Sequence, residues 1–115
     1  MHRLCAVEDV LEGEILGGQL PDGHRVAIYR VDGHVFVTDD RCSHGDASLC
    51  DEGSLDGCEV ECSWHFGRFD VRTGQPTASP CSEPIQTYAV TIDGGAVWVT
   101  VRPVMSISAT PSDAG

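Results

Sequence analysis

The sequence contains no lysine. Its seven basic residues are all arginines, and against 18 acids they leave a net charge of −11. Binding to phosphates needs a basic face, so this balance argues against nucleic acid and against anionic membrane surfaces as partners. The charge suits solubility, and it also steers a protein toward basic patches on other proteins. No stretch approaches the roughly 18 apolar residues of a membrane-spanning helix. The N-terminal residues reach Glu8 before any apolar run of about seven forms, so no secretory leader is expected. A soluble, cytoplasmic protein is the expectation. Internal repeats are missing as well. So are a nucleophile–base pair, a phosphate loop, a paired acid–base carboxylate motif and a flavin or nicotinamide fingerprint. Nothing in the chain offers catalytic apparatus of its own.

The 115 residues suit one domain with its own core. Their apolar pattern repeats with period two, which predicts strands. Expected strands cover residues 14–20, 24–31, 35–38, 58–62 and 69–71, followed by 85–92 and 96–101. Asp32-Gly33 and Asp93-Gly94-Gly95 mark hairpin turns. The one helix candidate, residues 7–12, is a turn or two long and ends at Gly13. The fold class expected is all-β and antiparallel, a sandwich or partly open barrel. A single domain is expected over residues 1–102, with a flexible tail at 103–115.

Two stretches, 39–57 and 63–67, lack periodicity and are rich in Gly, Ser, Cys and His. Long irregular loops in a compact domain usually carry function. Acids concentrate over residues 39–61: Asp39, Asp40, Asp46, Asp51, Glu52, Asp56, Glu59 and Glu61 are opposed there by one basic residue, Arg41. Six cysteines (Cys5, Cys42, Cys50, Cys58, Cys62 and Cys81) suggest metal ligation rather than a disulfide framework when no leader is present.

The loops supply Cys42-Ser43-His44, a gap of seventeen residues, and Cys62-Ser63-Trp64-His65. Four such ligands can surround one metal centre. Two chemistries take two cysteines and two histidines: a tetrahedral structural zinc site, and a [2Fe–2S] cluster in which two histidines replace two cysteines on one iron. Ligand types alone do not decide between them. A zinc finger usually groups Cys with Cys and His with His, whereas each loop here mixes the two.

Cys-x-His, a gap of about seventeen, then Cys-x-x-His resembles the Rieske signature. The run CSWHFGRFDVRTGQPTASPCSEPIQTYAV, residues 62–90, resembles Rieske ferredoxins of bacterial aromatic-ring-hydroxylating dioxygenases. Within that group ASPCSEPI, residues 78–85, is similar to the carbazole dioxygenase ferredoxins. The resemblance implies a Rieske-type β-sandwich with a smaller cluster-binding subdomain at about residues 40–82. It implies that Cys42 and Cys62 hold an inner iron, and that His44 and His65 hold the outer, reducible iron near solvent. Gly45 and Gly67 would approach the cluster closely, Pro80 would sit in a covering loop, and Trp64 would shield the cluster or form part of a docking face. High-potential relatives carry two further loop cysteines where this chain has Ala47 and Trp64, so their linking disulfide is not expected. Cys50 and Cys58 are expected as reduced thiols. Those relatives also place hydroxyl donors where this chain has Gly67 and Phe69. Losing them, beside local acids, implies a potential of roughly −150 mV, the low end of the Rieske range.

The implied function is one-electron transfer from an NADH-dependent flavoprotein reductase to a terminal oxygenase, by a monomeric carrier that is not itself an enzyme. Two alternatives are a small Rieske subunit of a nitrite reductase-like enzyme and a zinc-stabilised interaction module.

Overall fold

A computed structural model describes residues 1–41, 48–62, 67–78 and 84–100. The motif positions Cys42, His44, Gly45, Ala47, Trp64, His65 and Pro80 lie outside the described residues, as does the expected tail at 103–115.

The described residues form three antiparallel sheets. The first contains β1 (His2–Ala6), β11 (Ala96–Val99) and β10 (Val90–Asp93), in the order β1-β11-β10. The second contains β2 (Ile15–Gln19), β3 (Arg25–Val31), β4 (His34–Asp39) and β9 (Thr87–Tyr88), in chain order. The third contains β5 (Gly53–Asp56), β6 (Glu59–Cys62), β7 (Arg68–Asp70) and β8 (Pro76–Ala78), again in chain order. The antiparallel all-β class expected from the two-residue period is what the chain adopts.

Turn chemistry explains the hairpins. Asp32 (φ 52°) and Gly33 (φ 80°) both take left-handed backbone, as a type I′ turn between β3 and β4 requires. Gly94 (φ 61°) and Gly95 (φ 75°) do the same between β10 and β11.

β3 is the middle of the structure. Val26, Ala27, Ile28 and Tyr29 are all fully buried, because this strand is covered on both faces. Val26 and Ile28 pack with Val10, Leu20, Val37, Val97 and Val99, between the first and second sheets. Ala27, Tyr29 and Val31 face the other way, packing with Leu49, Val60, Cys62, Phe69, Val71 and Ile85 against the third sheet. The Tyr29 hydroxyl is satisfied in this core by Thr38 Oγ1 at 2.8 Å.

Several sequence expectations shift. Residues 7–12 yield only a 3-10 turn, Val7–Asp9. The expected strand over 85–92 is divided, because β9 pairs with β4 and β10 with β11. The chain changes sheets at Ala89. The stretch 39–57, expected to be irregular, contains the short helix α1 (Leu49–Glu52) and all of β5. Ser48 begins α1, its Oγ accepting the Asp51 N–H at 3.3 Å, and β5 is held by pairing with β6.

Candidate metal centre

Of the four predicted ligands, Cys62 lies within the described residues. It closes β6 and is 3% exposed, sharing an inward face with Val60 and packing in the core with Leu49, Tyr29 and Phe69. Its N–H donates to the Gly67 carbonyl at 2.8 Å. That hydrogen bond fixes the two described residues, Cys62 and Gly67, on either side of residues 63–66, the stretch that includes Trp64 and His65. Gly67 is buried. Because the other three predicted ligands lie outside the described residues, no three metal-binding side chains converge among those described.

The topology brings the motif segments together. Gly53 pairs with Cys62, Glu61 with Arg68, and Arg68 with Ala78. The start of β5, the end of β6, the start of β7 and the end of β8 thus lie at one end of the third sheet. Residues 63–66 and 79–83 both leave from that end. Residues 42–47 join it through Ser48 and α1, which runs directly into β5. Residues 63–66 and 79–83 are rooted there directly, whereas residues 42–47 run from Arg41, just after β4, to Ser48 at the start of α1.

Each root is fastened. Arg41 and Ser48 form an antiparallel bridge, and Leu49 N–H donates to the Asp40 carbonyl at 2.7 Å. Beyond 79–83, Ile85 N–H donates to the Gly74 carbonyl at 2.9 Å, and Asp39 N–H donates to the Gln86 carbonyl at 2.9 Å. Gly74 (φ 80°) is needed there: a Cβ on it would lie 2.1 Å from the Ile85 carbonyl oxygen.

Asp40 is the residue that sequence reasoning missed, having counted it only as one acid among many. It is 4% exposed. Its Oδ2 accepts from Ser48 Oγ at 2.6 Å and its Oδ1 from the Cys50 N–H at 2.8 Å. The only signal in the sequence was its place two residues before Cys42.

The acidic stretch is also less exposed in charge than composition implied. Arg68 reaches Asp56 and Glu59 at 3.2 Å each and Glu61 at 3.4 Å. Arg25 lies 3.9 Å from Asp40 and 3.8 Å from Asp51. Cys50 and Cys58 are separate thiols, as expected. Burial pushes the Cys50 thiol up from its ordinary value.

Residues 1–89 match the Rieske [2Fe-2S] domain family. The chain belongs to that family. It is 61% identical over 98 residues to the ferredoxin component of the p-cumate 2,3-dioxygenase system of Pseudomonas putida, covering 85% of this chain and 83% of the relative. The solved structure of a Sphingomonas yanoikuyae B1 ferredoxin superposes with a TM-score of 0.83 at 46% identity, covering 87% of this chain and 97% of that one. A complex of reduced oxygenase and oxidized ferredoxin in carbazole 1,9a-dioxygenase gives a TM-score of 0.79 at 40% identity, covering 84% and 89%. Rieske membership brings one [2Fe–2S] cluster, and the relatives place the chain among electron-carrying ferredoxin components rather than catalytic subunits. The donor set fits such a cluster. One thiol stands buried at the end of β6, and the sequence supplies a second cysteine and two histidines from residues 42–47 and 63–66.

Proposed function

We propose that this protein carries single electrons from an NADH-dependent flavoprotein reductase to the terminal oxygenase of an aromatic-ring dioxygenase system. The observation that carries this reading is the buried Cys62, at the end of the third sheet where residues 63–66 and 79–83 are rooted. The ligands are Cys42, His44, Cys62 and His65, in a cluster-binding subdomain of residues 40–82 within a domain of residues 1–102. When bound, the cluster supplies reversible one-electron chemistry.

The remaining work falls to the chain. Cys42 and Cys62 would hold the inner iron, and Leu49, Val60 and Phe69 pack around Cys62 to keep water from its sulfur. His44 and His65 would hold the outer iron, and their imidazoles would give the electron its way out toward a partner. Trp64 would shield the cluster or form part of a docking face, Pro80 would belong to a covering loop, and Gly45 and Gly67 would let the backbone approach the cluster. The carrier works as a cytoplasmic monomer, with residues 103–115 as a tail outside the domain. No described helix is long and apolar enough to cross a membrane.

Reconstitution tests the assignment. The purified chain, mixed with NADH and the reductase and oxygenase of a p-cumate 2,3-dioxygenase system, should restore aromatic dihydroxylation that neither partner supports alone. Reduction of the chain by the reductase without onward transfer to the oxygenase would reject the pairing.

A further inference from the structure

Asp40 carries a buried carboxylate, and a buried carboxylate persists only where hydrogen bonds replace its water. Here they tie two elements together. Through its main chain Asp40 is fixed to β3, its N–H donating to the Arg25 carbonyl at 3.2 Å, and to α1, its carbonyl accepting the Leu49 N–H at 2.7 Å. Through its side chain it holds Ser48 at 2.6 Å and the Cys50 N–H at 2.8 Å. Arg25 completes the assembly, donating from Nη2 to Cys50 Sγ at 3.2 Å. β2 leaves room for it, since a Cβ on Gly17 would lie 3.0 Å from that sulfur.

This assembly sits at both ends of residues 42–47. Cys42 is the second residue after Asp40, and His44 lies four residues before Ser48. Fixing both ends of a short segment removes most of its conformational freedom. The same assembly is continuous with Cys62. Leu49 is fully buried in the core that holds Cys62, and Gly53, which follows α1, pairs with Cys62 in the third sheet. A carboxylate is a costly choice at a buried site that serves packing alone, because apolar residues of similar size would fill it at least as well.

We propose that Asp40 is a positioning residue: its carboxylate clamps Ser48 and Cys50, and so fixes the two ends of the segment that carries Cys42 and His44 against the core that holds Cys62. The proposal rests on the ligand assignment given above. The clamp acts through geometry, so a hydrogen-bonding side chain of the same shape preserves it. In Asp40→Asn the amide oxygen still accepts from Cys50 and the amide nitrogen donates to Ser48 Oγ. Ser48→Thr keeps the hydroxyl, and Ser48→Ala removes it while leaving Asp40 in place.

The test uses the holoprotein and two readouts, the rate of cluster loss to an iron chelator and the line shape of the reduced EPR spectrum. Asp40→Ala and Ser48→Ala should each lose the cluster roughly tenfold faster or more than wild type, as expected when a hydrogen bond to a charged group is broken. Their EPR lines should broaden as the ligands spread over more geometries. Asp40→Asn and Ser48→Thr should stay within about threefold of wild type, the range of substitutions that break no such bond. Should Asp40→Ala fail to fold, Ser48→Ala carries the test. Ser48 also caps α1, so a purely structural role would lower the melting temperature of Ser48→Ala and leave its cluster-loss rate and EPR spectrum unchanged. That result overturns the clamp. His44→Ala serves as the separate control. If it keeps a Rieske spectrum, the ligand assignment fails and the clamp falls with it. If it loses that spectrum while Ser48→Ala behaves as wild type, the clamp alone fails.

Discussion

Single residues around Cys62 set how easily the cluster accepts an electron. Hydrogen bonds from hydroxyls to cluster or ligand sulfur stabilise the more negative, reduced state. Gly67 has no side chain to offer, and Phe69 is fully buried beside Cys62 as pure hydrocarbon. The buried Asp40 carboxylate, two residues from Cys42, opposes added negative charge. The midpoint potential is therefore expected near the low end of the Rieske range, roughly −150 mV. Protein-film voltammetry measures it directly, and a clearly positive value would contradict this account of the residues at positions 67 and 69.

Elements bring these residues together, and the turns do much of that work. The turn between β7 and β8 ends at Gly74, whose carbonyl accepts the Ile85 N–H on the far side of residues 79–83. Gly74→Ala forces a Cβ to within 2.1 Å of the Ile85 carbonyl oxygen, at a φ of 80° that alanine resists. It should cost about 2 kcal/mol or more in stability. Thermal unfolding followed by circular dichroism would detect it, and an unchanged melting temperature would mean the turn and the 85 segment are not locked. Elements with strong local signals were legible in the sequence. β3 and β4 announced themselves through alternation and through Asp32-Gly33, and β10 and β11 through Gly94-Gly95. β1 was hidden by the irregularity between Arg3 and Cys5, which breaks the period of two. α1 and β5 have four residues each, too few to show a period. The expected ligands stood out because each Cys–His pair is only two or three residues apart and forms a recognisable motif. The clamp did not, because Asp40 acts on Ser48 and Cys50, eight and ten residues away, and only the fold brings them together.

At the scale of the whole molecule, the described residues pack as three sheets, with residues 63–66 and 79–83 rooted at one end of the third, and the chain as a whole carries a net charge of −11. Part of the acidity of the motif stretch is neutralised internally by Arg25 and Arg68. The remainder still gives a field that attracts basic partner surfaces. Electron delivery to the oxygenase should therefore slow as ionic strength rises from about 0.01 M to about 0.15 M, where the screening length shrinks from about 30 Å to about 8 Å. Stopped-flow rates that ignore salt would assign the acidity to solubility alone.

As a member of the Rieske family, this chain is expected to hold its [2Fe–2S] cluster through two cysteines and two histidines. EPR spectroscopy of the dithionite-reduced protein, with iron, sulfide and zinc measured on the same sample, tests it most directly. The account predicts two irons and two acid-labile sulfides per chain, with an average g value characteristic of mixed His/Cys ligation. A colourless protein containing zinc, or a spectrum characteristic of four cysteine ligands, would contradict it.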